Sequence, residues 1–221
     1  MTEAESLDIS IMVSTAPPII KNKEFQILNN VSRETTERLE AYLRLLKRWQ
    51  RRINLVSAQS LADPWHRHFL DSAQLISVLP KGTRSVVDLG SGAGFPGLVL
   101  GILGVENVHL VESDGRKCEF LKEVIRETGV SVVIHSCRIE SLVPWQADVV
   151  MARALAPLTS LLSMALPFLD LGAVGIFLKG KDVLEELTEA EKSWKMTIER
   201  FPSQSDPNGA ILRLRGVQRV E

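Results

Sequence analysis

Apolar residues recur along the chain in two spacings, one typical of helices and one typical of strands. Leu39, Leu43, Leu46 and Ile53 follow helical spacing, and Ser32 ahead of them is a typical N-cap. From residue 85 onward, short apolar runs typical of buried strands alternate with longer helical patterns. The pattern therefore predicts an N-terminal helical part followed by an α/β part.

A second helix is predicted to begin at Pro64, since proline is favoured at the first helical position. Its buried stripe is predicted to be Trp65, Phe69, Ala73 and Ile76. Residues 1–30 show no steady period, so a loosely packed arm with a short helix near residues 24–28 is expected there.

The α/β part is predicted to contain seven strands with helices between them. The strands are expected at residues 85–89, 107–112, 130–135, 148–151, 173–178, 195–201 and 210–215, and the helices at residues 98–105, 116–127, 157–168 and 182–194. Strands alternating with helices predict a parallel sheet covered on both faces, and the last two strands predict an antiparallel pair. We expect residues 1–82 to pack as an arm and helices on a core of residues 83–221, in one structural unit.

Composition narrows the class of protein. The chain has 221 residues, 45% of them hydrophobic, with a formal net charge of −1. These values are typical of a globular protein and argue against a protein whose whole surface is basic for tight binding of bare nucleic acid. Its two cysteines lack metal-ligand spacing, so neither a metal site nor a disulfide is predicted. The acidic start of the chain lacks a signal-peptide pattern, and the apolar run at 98–105 is too short to span a membrane, so we expect a cytoplasmic protein that does not associate with a membrane. We also expect a monomer.

The glycines that follow the first predicted strand indicate a nucleotide-like ligand. Strand, glycine turn and apolar helix succeed one another in residues 85–105, as in the opening unit of a nucleotide-binding fold. The fingerprint of dinucleotide-binding proteins is Gly-x-Gly-x-x-Gly. When it is aligned to begin at Gly90, its third glycine falls on Phe95, so the sequence does not match. When it is aligned to begin at Gly92, the sequence matches, but the motif then begins several residues beyond the strand.

The observed spacing is instead Asp88, Gly90, Gly92 and Gly94, which resembles motif I of class I S-adenosylmethionine (SAM) methyltransferases. SAM carries an ammonium and a sulfonium group, so a nearby carboxylate such as Asp88 could stabilise it directly or through water. Glu112 ends the second strand, where an acid can accept hydrogen bonds from both hydroxyls of a ribose. Because NAD also contains a ribose, Glu112 alone does not separate the two ligands.

Five short stretches, which occur in the same order as in one family of methyltransferases, make the resemblance more specific. They are Trp-Gln-Arg-Arg-Ile-Asn-Leu-Val-Ser at 49–57, His-Phe-Leu-Asp-Ser at 68–72, residues 88–97 with Gly-Phe-Pro-Gly, Met-Ala-Arg-Ala-Leu-Ala at 151–156, and Leu-Lys-Gly at 178–180. Together they resemble the bacterial 16S ribosomal RNA (guanine-N7) methyltransferase family, also called the glucose-inhibited division protein B family.

This resemblance implies a fold, a cofactor and binding residues. The implied fold is the Rossmann-like class I SAM-dependent methyltransferase fold, with strand order 3-2-1-4-5-7-6. The cofactor is SAM, with S-adenosylhomocysteine as product, and the substrate is 16S rRNA of the small ribosomal subunit. The residues at the family's SAM-binding positions are Gly90, Phe95, Ile139, Glu140 and Arg153, to which motif I and the acid of the second strand add Gly92 and Glu112. The family often has serine before the arginine, where this chain has Ala152.

Methylation at guanine N7 needs no catalytic base, because N7 carries a lone pair and no proton. The implied mechanism is therefore orientation of the reacting atoms, and no residue is assigned as a base. His68, Asp71 and Ser72 follow one another on a single helix, which is unsuited to a catalytic triad, and a structural role or a place beside the cleft is expected for them.

Cations cluster at the end of the first long helix and could contact RNA phosphates or form a solvated face. They are Arg44, Lys47, Arg48, Arg51 and Arg52, with no acid among them. Further candidates for the substrate side are Arg116, Lys117 and Lys179. Three other functions stay open from the residues alone: a SAM-dependent methyltransferase of another RNA, a protein or a small molecule; a non-enzymatic RNA-binding protein; and an NAD-dependent dehydrogenase.

Overall fold

The computed structural model describes residues 21–220, so the first twenty residues of the predicted arm lie outside the described residues. The α-helices are α1 (Asn22–Leu28), α2 (Arg33–Gln50), α3 (Ala58–Ala62), α4 (Asp71–Ala73), α5 (Gly97–Ile102), α6 (Gly115–Thr128), α7 (Leu158–Leu169) and α8 (Val183–Glu191). The strands are β1 (Ser85–Leu89), β2 (Asn107–Val111), β3 (Val132–His135), β4 (Val149–Arg153), β5 (Val174–Lys179), β6 (Trp194–Pro202) and β7 (Ala210–Arg219).

The seven strands form one sheet in the order β3-β2-β1-β4-β5-β7-β6. The first five strands are parallel, and β7 pairs antiparallel with both β5 and β6. The predicted class I methyltransferase fold, with its terminal antiparallel pair, is therefore confirmed. The strand order changes direction at β1 and β4, and ligands of open α/β sheets bind beside such a switch point.

Each central strand serves two hydrophobic cores because successive side chains point to opposite faces. Val86 packs in the core that includes α2, α5 and α6, whereas Val87 packs in the core that includes α7. The N-terminal helices belong to the first core: Phe25, Leu39 and Tyr42 are fully buried there. These helices thus cover one face of the sheet and reach the end of β1.

The predicted second helix is a mixed helical segment, which corrects its predicted buried stripe. Residues Trp65–Leu70 form a π-helix, α4 follows, and Gln74–Ser77 form a 3-10 helix. These geometries hold different numbers of residues per turn, so the buried face rotates along the segment. Ile76 is consequently 44% exposed, and Leu75 is fully buried in its place.

Most other boundaries agree with the sequence within a few residues. Ser32 caps α2 by accepting a hydrogen bond from the backbone N–H of Thr35, and Gly129 ends α6 with a left-handed backbone. The predicted last helix includes Trp194, which instead begins β6 with a buried side chain. In the described part of the chain, no helix combines the length and apolar character needed to cross a membrane.

Candidate active site

A cavity of about 1160 Å³ opens at the carboxyl ends of the parallel strands. It is lined by all seven residues predicted to bind SAM: Gly90, Gly92, Phe95, Glu112, Ile139, Glu140 and Arg153. The fold thus brings together residues that the sequence spreads over more than sixty positions. The volume exceeds what one cofactor-sized ligand occupies, so the cavity has room for a second reactant.

The glycine loop forms one wall of this cavity through its backbone. Gly90 and Gly92 adopt positive φ angles of 66° and 55°, which residues with a side chain rarely tolerate. A Cβ atom on Gly90 would lie 2.5 Å from Leu155 Cδ1, whereas in front of Gly92 the nearest atom is 3.8 Å away. The loop therefore presents bare backbone to the cavity at Gly92.

Glu112 connects the end of β2 to the glycine loop. Its Oε2 accepts a hydrogen bond from the N–H of Gly92 at 2.8 Å, and its Oε1 accepts one from the N–H of Asp114 at 2.8 Å. Each carboxylate oxygen retains a further lone pair, so the side chain can still accept from a ligand hydroxyl. The position is compatible with the predicted contact to a ribose.

Asp88 does not line the cavity, which corrects the direct contact with SAM that its position in the sequence suggested. Its side chain is fully buried behind the loop, where Oδ2 accepts a hydrogen bond from the N–H of Gly97 at 2.9 Å. Burial raises the pKa of Asp88 to about 7, although the Gly97 N–H and the positive charge of Arg153 oppose this increase. Asp88 therefore anchors the first turn of α5.

Phe95 lies at the centre of an aromatic cluster. Its ring stacks on Tyr42, with centroids 4.9 Å apart, and on His68, with centroids 4.7 Å apart. Tyr42 also donates a hydrogen bond from its hydroxyl to the carbonyl of Ala93 in the glycine loop. The sequence does not predict Tyr42 as part of the site, because its apolar neighbours on α2 give no signal beyond helical burial.

Arg153 is held between three elements at the end of β4. Its guanidinium donates to Asp71 Oδ2 and to the carbonyl of Arg67, both at 3.1 Å, and its centre lies 5.1 Å from the centroid of the Phe95 ring. A third contact joins Arg153 Nη2 and His68 Nδ1 at 3.1 Å, so we assign the imidazole proton to Nε2. Burial and the neighbouring arginines lower the pKa of His68 to about 3, and its ring is neutral at physiological pH.

The remaining predicted residues line the cavity from the segment after β3 and from the end of β5. Ile139 and Glu140 lie in a 3-10 turn, Ile139–Ser141, with Ile139 half-buried and Glu140 exposed. Lys179 at the end of β5 donates to the carbonyl of Ala156 at 2.9 Å and pairs with Glu186 at 2.6 Å. Lys179 is thus charge-compensated where it lines the cavity.

The basic end of α2 adjoins this cavity without lining it. Arg48 pairs with Glu123 of α6, so the structure supplies an acid that the local sequence lacks. The other four cations are exposed. The Gln50 side chain accepts from the N–H groups of both Leu55 and Val56, and this braced turn forms part of the cavity rim.

The charged groups around the cavity favour a cationic ligand. Seven acidic side chains line it: Asp71, Glu112, Glu140, Asp182, Glu185, Glu186 and Asp206. Five cationic side chains do so: Arg67, Lys117, Arg138, Arg153 and Lys179. Across residues 21–220, no group of three or more His, Cys, Asp and Glu side chains is arranged to hold a metal ion. Cys118 and Cys137 are both free thiols.

Comparison with known proteins gives one consistent family. A family profile described as rRNA small subunit methyltransferase G (GidB) matches residues 35–211. The ribosomal RNA small subunit methyltransferase G of Rhodospirillum rubrum is 61% identical over 190 residues, which cover 86% of this chain and 94% of that protein. The protein of the same name from Parvibaculum lavamentivorans is 49% identical over 93% of this chain and 94% of its own length.

Solved structures with low sequence identity share the fold. Ribosomal protein L11 methylase from Lactobacillus delbrueckii subsp. bulgaricus superposes with a TM-score of 0.51 and 17% identity, covering 68% of this chain and 77% of that one. A variant of MtNAS in complex with S-adenosylmethionine gives a TM-score of 0.53 with 14% identity, covering 89% and 84%. At such identities the likeness concerns the fold alone.

Proposed function

The chain belongs to the rRNA small subunit methyltransferase G (GidB) family, and we propose that it transfers a methyl group from SAM to N7 of a guanine in 16S rRNA. The observation that carries the proposal is the convergence of the seven predicted residues on one cavity in a chain of this family. The second product is S-adenosylhomocysteine. We also expect the enzyme to act as a cytoplasmic monomer.

The residues around the cavity fit SAM. The bare backbone at Gly92 leaves room for close approach of a ligand, and the acidic excess suits a cation. We expect Glu112 to accept hydrogen bonds from the ribose hydroxyls, and the Ile139–Ser141 turn to contact the adenine. Arg153 and Phe95 would flank the remaining part of the molecule.

SAM, when bound, supplies an electrophilic methyl group on a positively charged sulfur. The protein's part is to orient the target guanine, since N7 attacks through its own lone pair and loses no proton. Positive charge passes to the purine during transfer, and the acidic side chains of the rim compensate it. No residue is therefore required as a general base.

We expect the RNA to approach over the basic end of α2. Arg51 and Arg52 are exposed, and the turn that follows them reaches the cavity rim at Leu55. Cations at such a place can neutralise phosphates while the target base enters the cavity. Arg48 is a weaker candidate, because Glu123 already compensates its charge.

A direct test incubates the protein with labelled SAM and small ribosomal subunits that lack the modification, then maps the methylated base. Methyl at guanine N7 of 16S rRNA is expected. Methyl on another atom would contradict the mechanism, and transfer only to another RNA or a small molecule would contradict the substrate.

The RNA path is tested with the double variant Arg51→Glu/Arg52→Glu. We expect unchanged SAM affinity and, at low subunit concentration, methylation reduced at least about tenfold, because two phosphate contacts are lost. The matched control is Arg33→Glu/Arg38→Glu, which makes the same charge change at the other end of α2. Equal losses in both double variants would show a general charge effect, and no loss in either would exclude this path.

A further inference from the structure

We propose that Asp71 is a positioning residue that keeps the cavity electrically suited to a cationic methyl donor and ties Arg153 to the loop between β6 and β7. The inference rests on the proposed function. It gives a role to the His-Phe-Leu-Asp-Ser stretch, whose Asp71 is only 16% exposed and lines the cavity.

The two carboxylate oxygens of Asp71 serve different elements. Oδ2 accepts from Arg153 at the end of β4. Oδ1 accepts from the hydroxyl of Ser205 in the β6–β7 loop and from the side-chain amide of Gln74 at 3.0 Å. The Gln74 oxygen in turn accepts from the N–H of Gln204 at 2.7 Å. One side chain therefore joins Arg153 at the end of β4 to the loop between β6 and β7, which also lines the cavity.

The negative charge of Asp71 matters because Arg153 is largely buried. The guanidinium is 18% exposed, and its other acceptors, the Arg67 carbonyl and the His68 ring, are neutral. Asp71 is its only carboxylate partner among the ion pairs of residues 21–220. Without that carboxylate, the guanidinium would lose its ion-pair partner, and its positive charge would repel the positive sulfur of the ligand in a medium of low effective dielectric.

This role differs measurably from a purely structural one. SAM and S-adenosylhomocysteine have nearly the same shape but differ by one positive charge at sulfur. If a residue only stabilises the fold, its substitution should weaken the binding of both ligands by the same factor. A residue that sets the local charge would change the ratio of their dissociation constants.

The test is calorimetric titration of both ligands into Asp71→Asn. We expect binding of SAM to weaken more than binding of S-adenosylhomocysteine, so that the ratio of their dissociation constants shifts about three- to tenfold against SAM. The control is Glu199→Gln, which removes the carboxylate partner of Arg213 away from the cavity and should leave the ratio unchanged. An unchanged ratio in folded Asp71→Asn would overturn the proposal.

A second pair of variants keeps the test decisive if Asp71→Asn does not fold. Arg153→Gln removes the positive charge and should shift the ratio in favour of SAM, whereas Arg153→Gln/Asp71→Asn restores the net charge and should return the ratio to that of the parent. A double variant whose ratio equals that of Arg153→Gln alone would contradict the proposal.

The link to the loop is tested by Ser205→Ala, which retains the charge of Asp71. We expect the ratio of the two dissociation constants to stay unchanged, because the carboxylate that pairs with Arg153 is kept, while the protein unfolds at a lower urea concentration, because the hydrogen bond between Asp71 and the loop is lost. If Ser205→Ala shifts the ratio of the dissociation constants, the proposed division of roles is wrong, in which Asp71 Oδ2 pairs with Arg153 and Asp71 Oδ1 holds the loop. If the parent protein binds neither ligand, the proposed function fails; if it binds both and only the variant results disagree, this inference alone fails.

Discussion

Two walls of the cavity are built by different physical means. The glycine-loop wall, residues 88–97, is held by close apolar contacts and by hydrogen bonds of its backbone, and its only charged side chain, Asp88, is buried behind it. The polar wall consists of the side chains of Arg67 and Asp71 and of the β6–β7 loop at residues 203–209, joined by hydrogen bonds directly and through the buried Gln74. A close-packed backbone tolerates little added volume, whereas an exposed polar side chain such as Arg67 can exchange its hydrogen bonds for bonds to water.

The largest effect is expected in the glycine-loop wall from Gly94→Ala. Gly94 has a φ angle of 87°, and a Cβ atom there would lie 2.5 Å from Leu98 Cδ1 and 2.8 Å from the Tyr42 hydroxyl. Backbone strain and overpacking together should lower the free energy of unfolding by about 3–5 kcal/mol.

The matched control is Gly172→Ala. Gly172 has a φ angle of 96°, but no atom lies within 4 Å of the position that a Cβ would occupy, so only strain of about 1–2 kcal/mol is expected. Urea denaturation measures both variants. Similar losses would show that packing contributes little to this wall.

A pH-dependent effect is expected from Asp88→Asn, which keeps an acceptor for the Gly97 N–H. Burial raises the pKa of Asp88 from about 3.8 to about 7, so between these values the folded state binds more protons than the unfolded state. The stability of the parent relative to Asp88→Asn should therefore decrease as pH rises from 4 to 7, by at most about 1.4 kcal/mol per pH unit.

This difference is measured by urea denaturation of both proteins across that pH range. His68 contributes the opposite trend, because its lowered pKa costs stability as pH falls below about 6.5, but it is present in both proteins and cancels. A constant difference between the two proteins would show that Asp88 is ionised throughout.

The smallest effect is expected in the polar wall from Arg67→Gln. The guanidinium is 45% exposed, lies 3.5 Å from Asp206 and donates to the carbonyl of Ser205 at 3.2 Å. Such a pair should contribute less than about 1 kcal/mol to the free energy of unfolding, and high salt should reduce the contribution further. Urea denaturation of the parent and of Arg67→Gln at low and high salt measures the change in the free energy of unfolding. A loss of several kcal/mol that salt leaves unchanged would remove the distinction between the two walls.

The sequence predicts the glycine-loop wall far better than the polar wall. Gly90, Gly92 and Phe95 stand in one short stretch whose spacing follows from local backbone geometry, and Glu112 follows at the end of the next strand. Asp71 and Ser205 are 134 positions apart, and no local pattern links them. A direct contact of Asp88 with the ligand is not supported, because an acid beside glycines has the same sequence pattern whether its side chain faces the ligand or the core.

By itself the sequence determined the class of fold, the strand order through its family resemblance, and the positions of the predicted SAM-binding residues. The class of fold depends on periodic burial and on turn residues, which act over a few positions along the chain, whereas the strand order is what the resemblance implies. Only the tertiary structure decided which carboxylates line the cavity, that Glu123 compensates Arg48, and that Asp71 compensates Arg153. Charge pairing and orientation depend on contacts between distant segments, and a linear pattern does not contain those contacts.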